Sequence, residues 1–245
     1  MWSDVIGALF LLAYYLIFCT LLPTLLKAFT GAPRELVRKI QHLGYSLSIF
    51  LLIKLFSSWY AAVTAAFVLV LVAYPALLML EKLPRYRELF VDRRAKGGEL
   101  RMQLLLVQFS FGLLLFLFWG IMGTDWRYLI PVAVMAWGFG DAAAALVGKA
   151  FGRRLIISRF IDGPKTYAGT AAMFLVAAAA IFATLLVYAG KPWYISLLIA
   201  VIVSPACTLV ELFSRRGIDT LTVPLTAAAL MLPLIHLLSL FGWMM

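Results

Sequence analysis

The chain has 245 residues, of which 64% are hydrophobic and only 13% are charged. Soluble domains are about half apolar and roughly a quarter charged, so this composition excludes an ordinary water-soluble domain and a disordered chain. A helix needs about 20 apolar residues to cross the hydrocarbon layer of a bilayer. The composition therefore predicts an all-α, polytopic integral membrane protein with almost nothing outside the bilayer.

Apolar runs separated by polar gaps predict the helices in chain order. The runs lie at 4–26, 42–56, 59–80, 102–123, 127–149, 168–189, 193–212 and 221–243. The second run is the shortest, so the pattern predicts eight transmembrane helices, or seven if this run does not cross. We expect one transmembrane domain over residues 1–245, with loops near 27–41, 81–101, 150–167 and 213–220.

The charges are distributed unevenly among the gaps. The chain carries 21 Lys and Arg against 11 Asp and Glu, a net charge of +10, and eighteen of the basic residues fall in the first, third, fifth and seventh gaps. Cytoplasmic loops of membrane proteins carry such an excess of Lys and Arg. The pattern predicts that these four loops face the cytoplasm and both termini the opposite side. It favours a membrane over nucleic acid as the partner, and no protein partner can be inferred from it.

Three carboxylates lie within or beside the predicted helices. Asp141 falls in the fifth run, eight residues before Lys149, and so roughly 12 Å from the cytoplasmic end of the helix. Glu211 closes the seventh run and Asp219 opens the eighth. Carboxylates inside a membrane are costly and tend to be functional, and Mg²⁺ is bound by carboxylates together with phosphate oxygens. We expect Asp141, Glu211 and Asp219 to be ligands of Mg²⁺.

Small residues surround Asp141, and cations follow it. Glycines in the fifth run allow a ligand to approach closely, or alternatively another helix, with Asp141 paired to a buried base. The next gap supplies five cations suited to a triphosphate: Lys149, Arg153, Arg154, Arg159 and Lys165. The stretches 138–140 and 163–166 match neither the dinucleotide fingerprint nor the P-loop, so we expect a nucleotide site of a membrane-specific kind.

The first basic gap places Arg38 and His42 four residues apart, on one face of a short helix. This arrangement would point a guanidinium and an imidazole the same way at the membrane interface. The alternative is a basic helix that anchors the protein on anionic lipid head groups.

Four stretches of the chain, in order, resemble the family of phytol, farnesol and dolichol kinases, which includes CTP-dependent diacylglycerol kinases and is distantly similar to CDP-diacylglycerol synthases. The matching residues are Glu35, Arg38, Lys39 and His42; Gly140, Asp141, Ala145, Gly148, Lys149, Gly152 and Arg153; Lys165, Thr166, Gly169 and Thr170; and Glu211, Asp219, Leu221, Val223 and Pro224. Ala168 stands where the family has Glu, which is similar to the diacylglycerol kinase branch, and Thr220 stands where it has Asn.

The resemblance implies a lipid-alcohol kinase that transfers phosphate from CTP, or another nucleoside triphosphate, to an isoprenoid alcohol or diacylglycerol at the cytoplasmic face. It implies catalytic roles for Asp141, Lys165, Arg38 and His42. It implies that nucleotide is bound by Gly140, Gly148, Lys149, Gly152, Arg153, Lys165, Thr166, Gly169 and Thr170. A cytidylyltransferase that forms a CDP-lipid would use the same parts, and a membrane transporter is a third interpretation.

Overall fold

The computed structural model describes residues 2–83, 86, 98–161, 163–215 and 217–240, and these ranges are almost entirely helical. Eight long helices follow one another: α1 (Trp2–Phe29), α2 (Arg34–Lys54), α3 (Trp59–Leu80), α4 (Glu99–Ile121), α5 (Leu129–Phe151), α6 (Tyr167–Tyr188), α7 (Trp193–Phe213) and α8 (Asp219–Leu240). A short 3₁₀ turn, Thr124–Trp126, precedes α5. The prediction of an all-α, polytopic membrane protein is confirmed.

Seven of these eight helices are long and apolar enough to cross a membrane, and α2 is the exception. It has 21 residues, about 31 Å of helix, so its length would suffice. It begins at Arg34, well before the predicted run at 42–56, and its first half is rich in polar side chains. These side chains lower its apolarity, although most of them are buried in the folded chain.

Contacts divide the chain into two compact units, residues 1–123 and residues 124–245, which we call unit 1 and unit 2. Unit 1 contains α1 to α4, with α1 packed against α2 and α3 against α4. Unit 2 contains α5 to α8, with α5 packed along α6 and with α8 in contact with both α5 and α7. The transmembrane domain predicted over residues 1–245 includes both units.

Within each unit, the helices differ in the share of their residues that the protein buries. In unit 2, 61% of the span that contains α5 is buried, against 28% for α6. In unit 1, only 11% of α3 and 22% of α1 are buried. The exposed residues of α1 and α3 include large apolar side chains, as expected for surfaces that face lipid. Helix α5 is therefore the central helix of unit 2.

Three of the helices contain a π-helical segment, at Tyr15–Leu21, Leu115–Ile121 and Thr184–Tyr188. The segment in α1 faces α2, where the side-chain nitrogen of Gln41 donates a hydrogen bond of 2.7 Å to the backbone oxygen of Cys19. A Cβ at Gly44 would lie 3.2 Å from the sulfur of Cys19, so the two helices approach closely here. Single π turns inside α-helices are frequent at functional sites.

Most of the predicted basic loop near 81–101 lies outside the described residues. At its two ends, the side chain of Arg101 donates to Glu81, from Nε at 2.9 Å and from Nη2 at 2.8 Å. The backbone N–H of Gly98 also donates to Glu81, at 2.9 Å. This paired contact joins the end of α3 to the start of α4.

Candidate active site

Helix α5 carries Asp141 ten residues before its last residue, Phe151, which corresponds to about 15 Å along the helix axis. Asp141 is half-buried, whereas Lys149, near the end of the helix, is exposed. The helix therefore runs from a carboxylate within the bundle to a cation at its surface.

The end of α5 crosses the start of α6 at a point where three glycines and a threonine meet. A Cβ at Gly169 would lie 2.7 Å from the backbone oxygen of Ala144 and 3.2 Å from the Cα of Gly148. A Cβ at Gly148 would lie 3.0 Å from Oγ1 of Thr166, and one at Gly152 would lie 2.7 Å from the same atom. Only glycine fits such a close helix crossing without a shift of the backbone.

Gly140 fills a similar role one residue before Asp141. It is buried, and a Cβ there would lie 2.5 Å from the sulfur of Met173 in α6. These contacts support the helix-packing alternative for the glycine-rich stretch. Nucleotide binding by the backbone of Gly140, Gly148, Gly152 and Gly169 stays a prediction.

The loop between α5 and α6 folds back on itself as a short hairpin. The N–H of Ile156 donates to the backbone oxygen of Lys165 at 2.9 Å, and Leu155 pairs with Thr166 in an antiparallel bridge. Thr166 then begins α6, because its Oγ1 accepts a hydrogen bond of 3.1 Å from the N–H of Gly169. These bonds hold Lys165 immediately before the N-terminus of α6, while Arg153 remains exposed.

Lys165 reaches the end of α7 and forms an ion pair with Glu211. Its Nζ also donates to the backbone oxygen of Glu211 at 3.0 Å. The side chain of Glu211 is 6% exposed and that of Lys165 is 25% exposed. A cation at the C-terminal end of a helix interacts favourably with the helix dipole, so Lys165 stabilises both the carboxylate and the helix end.

Asp219, the first residue of α8, lies on the side of α5 that carries Asp141. The indole Nε1 of Trp137 donates to Oδ2 of Asp219 at 3.4 Å, and Trp137 is four residues before Asp141 in α5. Residues four apart share a helix face, so α8 brings a second carboxylate toward the Asp141 face. Sequence analysis missed Trp137, although its spacing from Asp141 was the available signal.

Among the described residues, no three His, Cys, Asp or Glu side chains come close enough to hold a metal ion by themselves. Mg²⁺ does not need such a cluster, since it is usually bound by one or two carboxylates together with phosphate oxygens and water. Asp141 and Asp219 have suitable oxygen donors on one side of α5. Glu211 is engaged by Lys165, so it would have to leave that ion pair to bind a metal.

In unit 1, α2 places Arg38 and His42 in the protein interior, with exposures of 6% and 5%. Arg38 forms an ion pair with Glu35, one turn earlier, and the backbone oxygen of His42 accepts a bond from Ser46 at 3.0 Å. Such burial leaves little surface for lipid head groups, which weakens the anchoring alternative.

Thr170, in the first turn of α6 in unit 2, is half-buried.

Comparison with known proteins places the chain in a family. The chain is 34% identical over 223 residues to phytol kinase from Synechocystis sp.. The match covers 89% of the chain and 87% of that protein. No protein-family model matches the chain, and no solved structure matches it. The helical membrane fold and this similarity define a class, the membrane lipid-alcohol phosphotransferases. Within that class, the chain belongs to the phytol kinase, or polyprenol kinase, family.

Proposed function

We propose that this protein phosphorylates an isoprenoid alcohol held in the bilayer, with CTP as the phosphate donor and Mg²⁺ as the cofactor, at the cytoplasmic face. The observation that carries the proposal is the arrangement at the end of α5 in unit 2. There the exposed Lys149 and Arg153 and the paired Lys165 lie around the N-terminus of α6. Cations beside the positive end of a helix dipole suit a polyphosphate.

Phosphoryl transfer depends mainly on positioning and charge stabilisation, which the residues of unit 2 can provide. Lys149, Arg153 and Lys165 would neutralise the phosphate oxygens as charge develops on them. Asp141 and Asp219 would hold the Mg²⁺, which supplies further neutralisation of the triphosphate when bound. Glu211 would hold Lys165 in position through the ion pair, and it would turn toward the metal only if that pair opened.

The reaction joins the alcohol oxygen to the γ-phosphorus and breaks the bond from that phosphorus to the β–γ bridging oxygen, so CDP leaves. The hydroxyl proton passes to a base, for which the carboxylates of unit 2 are the candidates. Arg38 and His42 would act on the lipid or the nucleotide, and their buried, fixed positions in α2 support a role beyond anchoring.

The relative from Synechocystis sp. is a phytol kinase, which supports an isoprenoid alcohol as the substrate class here. Positive loops flank the ends of the helices that carry the proposed site, and such loops tend to be cytoplasmic. A soluble nucleotide would then meet the lipid hydroxyl at the cytoplasmic interface.

The test uses purified protein in lipid nanodiscs, Mg²⁺, and CTP labelled on either the γ- or the α-phosphate. The panel of acceptors contains phytol, farnesol, a dolichol, diacylglycerol and phosphatidic acid. We expect γ-label on an isoprenoid alcohol and none of the α-label. Transfer of α-label to a phosphorylated lipid would instead identify a cytidylyltransferase, and absence of transfer to every lipid would contradict the proposal. Parallel reactions with ATP test the choice of nucleotide.

A further inference from the structure

Unit 1 contains a cavity of about 100 Å³, which we call the unit 1 cavity. Its walls come from α1, α2, α3 and α4, and half of the residues that line it are leucines, such as the buried Leu69 and Leu104. Two polar residues of α2, Gln41 and Tyr45, also line it. Tyr15 and Thr20 of α1 line it as well, so the cavity combines apolar leucine surface with polar groups, and its α2 side is polar.

The polar side of the cavity is built by hydrogen bonds that fix the two α2 side chains. Gln41 donates to the backbone oxygen of Cys19 at 2.7 Å and lies 3.4 Å from the hydroxyl of Tyr45. Both side chains are buried, with exposures of 6% and 7%. A hydroxyl that entered the cavity would thus meet a fixed amide and a fixed phenol as hydrogen-bonding partners.

Helix α2, which forms the polar side of the cavity, also carries Arg38 and His42, the two residues proposed above to act on the substrates. Arg38, His42 and Tyr45 follow the spacing i, i+4, i+7, which places them along one face of α2. The polar side of the unit 1 cavity therefore lies within one helical turn of His42. An alcohol bound in the cavity would have its hydroxyl beside this face.

Two residues of α1 line the cavity and are also exposed on the surface of unit 1. Leu12 and Leu16 line the cavity and are also 39% and 56% exposed. Because α1 presents mainly apolar side chains to its surroundings, a hydrocarbon chain could enter from the bilayer without passing through water.

We infer that the unit 1 cavity binds the hydroxyl-bearing end of a single-chain isoprenoid alcohol, an inference that rests on the proposed function. An engineered apolar cavity of about 150 Å³ accommodates benzene, so about 100 Å³ accommodates about four or five carbon atoms, the size of one isoprene unit. The rest of the chain leaves past Leu12 and Leu16 into the bilayer. The two ester-linked chains of diacylglycerol are too wide for such a cavity, so it selects single-chain alcohols.

The first test fills the cavity. Ala73 in α3 lines it, whereas Ala76, three residues later on the same helix, does not line it and is exposed. We expect Ala73→Phe to raise KM for a C20 isoprenoid alcohol about tenfold or more, with kcat little changed. Ala76→Phe should leave both constants as in the wild type. Equal KM values for the two variants, with an active wild type, would overturn the inference while leaving the proposed function intact.

The second test does not depend on turnover or on a substitution that could disturb folding. The wild-type protein is photolabelled with a C20 isoprenoid alcohol that carries a diazirine near its hydroxyl. We expect label within residues 41–45, beside the hydroxyl, and within the neighbouring lining segments 12–20, 69–77 and 100–104. Excess unlabelled C20 alcohol should remove this label, and diacylglycerol should not. Label elsewhere, or label that diacylglycerol removes equally well, would overturn the inference. Saturable label at the cavity in a protein that transfers no phosphate would support the binding site and contradict the proposed function instead.

Discussion

Two pairs of cations, one pair in each unit, differ in their exposure. In unit 1, Arg38 and Lys39 are buried in α2, with exposures of 6% and 2%. In unit 2, Lys149 and Arg153 are exposed near the end of α5. Burying a charge is costly unless it is hydrogen-bonded or paired, so the positions of buried cations are fixed by the fold, whereas exposed cations can move toward a ligand.

This difference corresponds to the two substrates in our proposal. A lipid alcohol arrives from the bilayer, and a cavity with fixed polar groups would select it in unit 1. A nucleotide arrives from water, and accessible cations at the surface would capture it in unit 2. The contrast predicts that substitutions in unit 1 and unit 2 alter the kinetic constants of different substrates.

The largest effect is expected at Lys165. Lys165→Met removes the cation that pairs with Glu211 and that would neutralise phosphate oxygens, and we expect activity to fall about 10²- to 10³-fold. Lys191→Met is the matched control, because Lys191 lies over the ring of Tyr128 at the other end of α6. Initial rates with varied CTP measure both variants. Wild-type activity in Lys165→Met would remove Lys165 from the site.

Substitutions in α2 test the role proposed for unit 1. Arg38→Ala and His42→Ala should each lower activity about 100-fold, with the protein still inserted and folded. Arg34→Ala, at the exposed first residue of α2, removes an equal charge and should leave activity near normal. The rates are measured in nanodiscs, with thermal unfolding as the check on folding. Near-normal activity in both Arg38→Ala and His42→Ala would contradict their assignment to the reaction and favour the lipid-anchoring alternative.

The close packing of α5 against α6 predicts that glycine-to-alanine substitutions lower stability by amounts that follow the space available for a Cβ. Gly169→Ala places a Cβ 2.7 Å from a backbone oxygen and should cost about 2 to 3 kcal/mol. Gly140→Ala meets the flexible side chain of Met173 and should cost about 1 kcal/mol. Gly112→Ala, whose nearest neighbour atom would be 3.5 Å away, should change stability little. Denaturation in detergent measures the order, and an inverted order would contradict the close crossing.

The smallest effect is expected at the contact that joins α3 to α4. Arg101→Lys loses the two-pronged bond to Glu81 and the stacking on Tyr74, where the guanidinium carbon lies 5.4 Å from the ring centre. We expect a loss of about 1 kcal/mol, because the pair is partly exposed. Thermal unfolding at low and high salt measures it. An unchanged unfolding temperature at low salt would show that the contact does not hold the two helix ends.

Most of the fold could be predicted from the sequence, because apolar runs of membrane length leave little ambiguity. The predicted run 59–80 coincides with Trp59–Leu80, and 168–189 differs by one residue at each end from Tyr167–Tyr188. The sequence predicted a short helix around Arg38 and His42 and a separate run at 42–56, whereas the structure joins them in one helix, Arg34–Lys54. A hydropathy pattern cannot show that polar residues are buried by neighbouring helices.

The candidate site was less predictable from the sequence. The pattern predicted a site at Asp141 and the cations around it, but it could not distinguish a glycine that contacts a ligand from one that contacts another helix. That distinction depends on interatomic distances at the crossing of α5 and α6. The pairing of Lys165 with Glu211 joins residues 46 positions apart, and no local spacing indicates such a contact.

The most direct test of the central claim measures CTP binding to wild type, Asp141→Asn and Asp125→Asn by calorimetry in nanodiscs, with Mg²⁺ or EDTA. Asp141→Asn keeps the shape of the half-buried side chain but removes its charge, and Asp125→Asn makes the same change at an exposed residue of unit 2. Our account predicts Mg²⁺-dependent binding in the wild type and Asp125→Asn. It predicts that Asp141→Asn weakens binding in Mg²⁺ about 10- to 100-fold, with unchanged thermal stability. A stable Asp141→Asn protein that binds CTP with wild-type Mg²⁺ dependence would contradict the account.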